Sequence, residues 1–152
     1  MPDTKQAVKR TAANDSWTDE EVSAMRERSS ELKAAKGRGK GKPDGEADLL
    51  AKVAAMPESD RVMAERIHAI VKENAPELEP KTWYGMPAWA KDGKVVCFFK
   101  AADKFKSRYA TFGFEEDARL DDGSMWPTSW ALTKLTPADE ATLTDLVKKS
   151  VS

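Results

Sequence analysis

The sequence predicts an α+β fold: a mostly antiparallel sheet with helices packed on one face, a two-layer sandwich, plus an N-terminal helical extension. Three observations predict it. Segments with helical periodicity stand before and after a single run of strand-like segments. Tight turns join those strand-like segments, and tight turns join antiparallel neighbours. The aromatic residues divide the chain in the same way: of five tryptophans, two tyrosines and five phenylalanines, only Trp17 precedes Trp83.

The polar, aperiodic start reads as a disordered tail over 1–17. An N-terminal helix follows over 18–36, with Thr18 as N-cap, Glu21 closing a capping box and Trp17 stapling onto Val22. Its apolar face is thin (Val22, Met25 and Leu32 with alanines), and Gly37 is its expected stop. Residues 37–45 are Gly-rich and basic, and the chain carries five positive charges from Lys33 to Lys42 with no negative ones. Without interleaved aromatics, this stretch reads as a flexible basic linker rather than a nucleic-acid contact. A single domain is expected over 46–150. It begins with a short helix burying Leu49, Leu50, Val53 and Met56, ended by Pro57. A second helix follows, with Ser59 as N-cap and a buried stripe of Met63, Ile67, Ile70 and Val71.

The strands come next. "TWY" is a short strand and "GMP" a turn that Gly85 permits, with Pro87 stiffening the exit. "AWAKDGKVVCFFKA" reads as a hairpin with a type I′ corner at Asp92–Gly93. "SRYATFGF" alternates, placing Arg108, Ala110, Phe112 and Phe114 on one face and Tyr109 and Thr111 on the other. "PTSWALTKL" is a further strand with Trp130 and Leu132 on one side. A closing helix has Thr136 as cap, Pro137 at N1 and an apolar face of Leu143, Leu146 and Val147.

Composition excludes several function classes. At 152 residues with a net charge of −1, the chain has no global pull toward nucleic acid or an anionic membrane. No apolar run is long enough to span a bilayer, and "MPDTKQAVKR" has no apolar segment behind its charges. The one cysteine, Cys97, permits no internal disulfide and fits a cytoplasmic setting. No phosphate-loop, dinucleotide, CxxC or HExxH motif occurs. The single histidine, His68, follows the apolar stripe and reads as structural; nothing flags a catalytic partner. Cys97 lies in the most apolar strand, where a buried thiol is inert.

The informative stretch is "KTWYGMPAWAKDGKVVCFF". Val95–Phe99 is apolar on both strand faces and needs cover on both. Helices supply one cover; the N-terminal helix, a partner or a ligand supplies the other. Trp83, Tyr84, Trp89 and Trp126 are the candidates for that second face, since indole and phenol groups suit a half-buried wall. The expected ligand site is therefore an aromatic groove of Trp83, Tyr84, Gly85, Met86, Pro87, Trp89 and Phe99, with Lys104 and Arg108 supplying positive charge at its rim. The alternative is that these rings only complete the core. Carboxylates at Glu58, Asp60, Glu65, Glu73 and Glu77, and in the loop of Asp117, Asp121 and Asp122, read as a solvated face or as weak ligands for a hard cation.

The Trp83–Pro87 segment "WYGMP", the strand "GKVVCFF", the segment "YATFGF" and the closing "LTPADEATLTDLVKK" together resemble the YdhG-like family of bacterial domains of unknown function, over about residues 46–150. The resemblance implies an α+β fold. Some members are described as frataxin-like intracellular iron chaperones, so it brings in iron as a possible ligand, carried by surface carboxylates that match Glu58, Asp60, Glu65 and Glu73. The N-terminal helix and basic linker lie outside the family's common core.

The functional expectation is a non-enzymatic domain in the cytoplasm that binds a small molecule or peptide in the aromatic groove, with no cofactor unless iron is bound. The alternatives are an iron chaperone and a protein-interaction module with a basic arm. Neither a membrane nor nucleic acid is an expected partner. Oligomeric state stays open, because a second copy can close an aromatic face.

Overall fold

In a computed structural model of the chain, residues 16–38 and 45–152 are described. Most of the tail expected over 1–17, and residues 39–44 of the expected linker, lie outside the described residues. Nine elements follow in order: helices α1 (Asp19–Arg38), α2 (Gly45–Ala54) and α3 (Glu58–Asn74), strands β1 (Glu79–Trp83), β2 (Met86–Lys91), β3 (Lys94–Lys100), β4 (Ala110–Phe114) and β5 (Ser129–Leu132), and helix α4 (Pro137–Ser150). The fold is α+β, as the sequence predicts.

The five strands form one sheet in sequence order, each antiparallel to the next. Two-residue turns fix the first two hairpins. Asp92 and Gly93 both take positive φ, as a type I′ corner requires. The same geometry recurs at Tyr84 (φ 53°) and Gly85 (φ 76°), with Trp83 paired to Met86 across the turn. The turn is thus Tyr84–Gly85, one residue earlier than the "GMP" reading, and Met86 and Pro87 already belong to β2.

Alternation then sorts the side chains. The inner face carries Trp89 from β2, Cys97 and Phe99 from β3, Phe112 and Phe114 from β4, and Trp130 and Leu132 from β5, all at mutually facing register positions. Helices α2, α3 and α4 cover it with Leu49, Val53, Met63, Ile67, Val71, Leu143 and Val147, and these residues form one buried cluster. Burying each such side chain stabilises the fold by about 1.5–3 kcal/mol relative to exposure. Trp126, expected on the second face, is half-buried against this cluster instead. Leu50, expected in the α2 stripe, is 44% exposed, because Leu49 and Val53 alone point inward.

The helix ends differ in quality. α4 has the expected cap: Thr136 Oγ1 accepts from the Asp139 N–H at 3.2 Å, and the Asp139 carboxylate accepts from the Thr136 N–H at 2.9 Å. α1 is capped by Thr18, whose hydroxyl accepts from the Glu21 N–H at 3.1 Å. It runs through Gly37 to Arg38, since one glycine costs only about 1 kcal/mol inside a helix. α3 starts one residue before the expected Ser59 cap. Pro57 precedes it with no side-chain cap, and Glu58 and Asp60 occupy the first turn. Among the described residues no helix is long and apolar enough to cross a membrane.

Candidate functional site

The outer sheet face carries Lys81 and Trp83 from β1, Met86, Ala88 and Ala90 from β2, and Phe98 and Lys100 from β3. Its small residues flatten the centre: Ala88 and Ala90 are buried without joining the inner cluster. Gly113 of β4 faces Phe98 and leaves room for its ring; an added Cβ would lie 2.5 Å from Phe98 Cζ. The cover on this side is α1, which packs against β1.

Between α1 and the sheet lies an open cavity of about 470 Å³. Trp83, Tyr84, Met86 and Phe98 wall it from the sheet, Phe105 from the turn after β3, and Trp17, Ala24 and Met25 from the α1 side. Lys100, Glu21 and Glu115 stand at its edge. The rings are organised rather than scattered. Trp83 meets Tyr84 edge-on with centroids 5.3 Å apart and meets Phe98 at 5.5 Å. Lys100 Nζ lies 4.8 Å from the Phe105 centroid, a cation–π distance. Tyr84 holds a left-handed conformation that bulky residues rarely adopt, and such conformations cluster at binding sites.

What holds α1 over this face is polar. Gly85 N–H donates to Glu31 Oε1 at 2.8 Å, and Lys104 Nζ donates to Glu27 Oε1 at 2.7 Å. Lys52 Nζ of α2 approaches Glu27 Oε2 at 3.7 Å, and the Arg28 guanidinium lies 5.8 Å from the Tyr84 ring centre. The second oxygens, Glu27 Oε2 and Glu31 Oε2, are buried with no hydrogen-bond partner. Burial pushes the Glu31 carboxyl above its ordinary range, against the opposing pull of the Gly85 N–H and Arg28. Burial also lowers the Lys81 ammonium nearby. The apolar part of α1 does little here: Ala24 is buried, but Met25 and Leu32 are exposed and Trp17 is 51% exposed. Gly85 is required by contact as well as by turn geometry, since a methyl group there would overlap the Glu27 carboxylate. Beside the clamp lies a second space of about 550 Å³, whose lining includes the charged side chains of Arg26, Asp48, Lys52 and Lys81.

The expected site residues separate into three groups. Trp83, Tyr84 and Met86 line the groove, and Gly85 and Lys104 bind α1 beside it. Trp89 and Phe99 do not line it. They are fully buried on the inner face, because β2 alternation sets Trp89 opposite to Met86, and Trp89 pairs with Cys97 two positions before Phe99. Pro87 is buried on that inner side too, paired with Thr82. Arg108 is exposed in the bend before β4 and lies 5.2 Å from the Tyr109 ring centre, outside the groove. Sequence reasoning missed Phe98, Lys100 and Phe105. Strand parity counted from the Asp92–Gly93 corner would put Phe99 on this face; the register shift between Trp89 and Ala90 reverses it and brings Phe98 there instead. It also missed Glu27 and Glu31, whose i, i+4 spacing sets both on one helix side.

The titratable groups of the inner side are occupied structurally. Trp89 Nε1–H donates to His68 Nδ1 at 3.2 Å, so the His68 ring carries its proton on Nε2, 3.0 Å from Glu46 Oε1. Lys72 Nζ completes the chain at 2.8 Å, and it and His68 hold the Glu46 carboxyl below its ordinary range. Burial pushes the Cys97 thiol far up. Asp60, matched to an iron role by resemblance, is buried, and its two oxygens accept from the Ala102 and Asp103 N–H groups at 3.2 and 3.1 Å. It fastens the turn after β3 to α3. Glu65 pairs with Arg61 at 3.1 Å, and Glu58 and Glu73 are exposed. Among the described residues no group of three His, Cys, Asp or Glu side chains is gathered to hold a metal ion.

Comparison with family models, with curated proteins and with solved structures finds no match to this chain.

Proposed function

We propose that this chain is a non-enzymatic binding module whose site is the groove between α1 and the outer sheet face, and that it takes a small ligand with an apolar body or the apolar side chains of a peptide. The observation that carries this reading is the open cavity of about 470 Å³ walled by aromatic side chains from four separate stretches of chain, at Trp17, Trp83–Tyr84, Phe98 and Phe105. Trp83, Tyr84 and Phe98 contact one another and still border this space, whereas Trp89 and Phe112 on the inner side are fully buried. A mostly apolar concavity with a few polar groups at its edge is the common form of a ligand site. The non-enzymatic reading draws on how two reactive groups are used: His68 is bonded at both ring nitrogens and Cys97 is buried.

The test is titration of the full chain with an anilinonaphthalene dye, read by dye emission and tryptophan quenching. Saturable one-to-one binding is expected, weakened about tenfold by Trp83→Ala, the scale of a lost aromatic wall. Val62→Ala, on exposed α3 surface, is expected to leave it unchanged. Unsaturable binding, or equal binding by the Trp83→Ala protein, would defeat the reading.

A further inference from the structure

The contact between α1 and the Tyr84–Gly85 turn has features of a binding site rather than of a packing interface. A backbone N–H and a lysine ammonium converge on two carboxylates, and charge-assisted bonds of this kind are the strong ones. Lys52 Nζ of α2 lies 3.7 Å from Glu27 Oε2, and Lys81 of β1 lines the adjoining space together with Glu27 and Glu31. Yet the occupants fit imperfectly. One oxygen of each carboxylate is buried without a hydrogen bond and has only a longer ionic contact, Glu31 Oε2 with Arg28 at 4.0 Å and Glu27 Oε2 with Lys52 at 3.7 Å, and burial disfavours the charge on Glu31. Leaving such groups unsatisfied destabilises the arrangement that buries them. The notch also adjoins the groove directly: Tyr84 lines the groove and precedes Gly85, while Lys104 Nζ lies 5.8 Å from the ring centre of Phe105, another groove wall.

We infer that the notch formed by Gly85 N–H and Lys104 is a carboxylate subsite, filled in cis by Glu31 and Glu27, and that the groove's ligand is an amphiphilic carboxylic acid. This rests on the groove being the binding site. The acid's apolar body lies among Trp83, Met86 and Phe98, and its carboxylate replaces those of α1 on Gly85 and Lys104. Binding and α1 docking therefore compete. Charge selects the ligand: with Glu27 displaced, Lys52 and Lys104 lose their anionic partner, so a neutral or cationic amphiphile leaves them uncompensated.

The test uses the full chain and three probes of one chain length, decanoate, decanol and decylamine, followed by amide NMR. Decanoate is expected to bind at least about tenfold more tightly than decanol, the value of one charge-assisted hydrogen bond, with decylamine weakest. Decanoate alone should shift the Gly85 amide and move the α1 resonances together. Lys104→Gln should erase the preference for decanoate. Glu27→Gln combined with Glu31→Gln should tighten decanoate about threefold or more by removing the competitor, which loss of a purely structural contact would not do. Equal binding of decanoate and decanol, a preference that survives Lys104→Gln, or no tightening in the double variant overturns the subsite and leaves the groove standing. Failure of all three probes to bind overturns the subsite and the groove together.

Discussion

On the inner face of the sheet, Trp89, Phe99 and Phe112 meet three helices in a closed cluster, and the buried His68 and Asp60 side chains at that layer are bonded: His68 to Trp89 and Glu46, and Asp60 to two backbone amides. On the outer face, Trp83 and Phe98 meet one helix across an open cavity, and that helix is fixed by Glu27 and Glu31 with an oxygen of each left in a longer ionic contact and without a hydrogen bond. Apolar closure is non-directional and scales with area. A two-carboxylate clamp acts at two points and depends on charge. The difference predicts that the inner layer builds the domain, and that the hold of α1 can be changed without unfolding the rest.

The largest effect should come from exchanging the two tryptophans as targets. Trp89→Ala removes a fully buried ring and orphans His68 Nδ1; the unfolding free energy should fall by about 3–5 kcal/mol, read by urea denaturation. Trp83→Ala, at a half-open wall, should cost about 1 kcal/mol or less. Similar losses at both positions would break the contrast.

Gly85→Ala should have an intermediate effect. Left-handed backbone costs an alanine about 1–2 kcal/mol, and its methyl group would strike the Glu27 carboxylate. Hydrogen exchange in α1 should speed up while α3 keeps the protection of the whole domain. Parallel loss in α1 and α3 would mean that the cover and the core are one cooperative unit.

The smallest effect is a pH response of opposite sign on the two sides. The docked Glu31 carboxyl is raised above 4.5, so the docked state holds more protons than the released one in the window above that value. Docking should tighten as pH falls into the window and loosen as pH rises through it. Asp139 on α4 is lowered from 3.8 by its bond from Thr136; its capping contribution is present above 3.8 and is lost as pH falls through the lowered value. Glu31→Gln should flatten the α1 response, measured by the Gly85 amide shift, and leave the acid limb of the α4 response intact. An α1 that loosens on acidification in wild type would reverse the assignment.

Much of this fold was legible in the sequence because its signals are local. The Asp92–Gly93 corner, the Thr136 cap and the Met63, Ile67, Ile70 and Val71 stripe each follow from a few adjacent residues. The groove was half legible. Trp83, Tyr84 and Met86 announced an aromatic wall, but Trp89 and Phe99 went to the other face because one residue of strand parity moves a side chain across the sheet. A break in register between Trp89 and Ala90 adds an extra residue to β3 that no local pattern marks. The clamp was illegible for another reason. Its partners, Glu31 with Gly85 and Glu27 with Lys104, are 54 and 77 residues apart, and the apolar periodicity that finds helix contacts is weak in α1.

The hydrogen bond from Trp89 to His68 gives the molecule an internal pair of spectroscopic labels. The Trp89 indole proton is sequestered in a buried bond, whereas Trp83 and Trp17 border open space. In a single proton spectrum, the indole signal of Trp89 should therefore survive solvent exchange until the domain itself opens, while those of Trp83 and Trp17 follow the position of α1. Departure of the cover and collapse of the core thus become separate events on separate lines, readable without attaching any foreign probe.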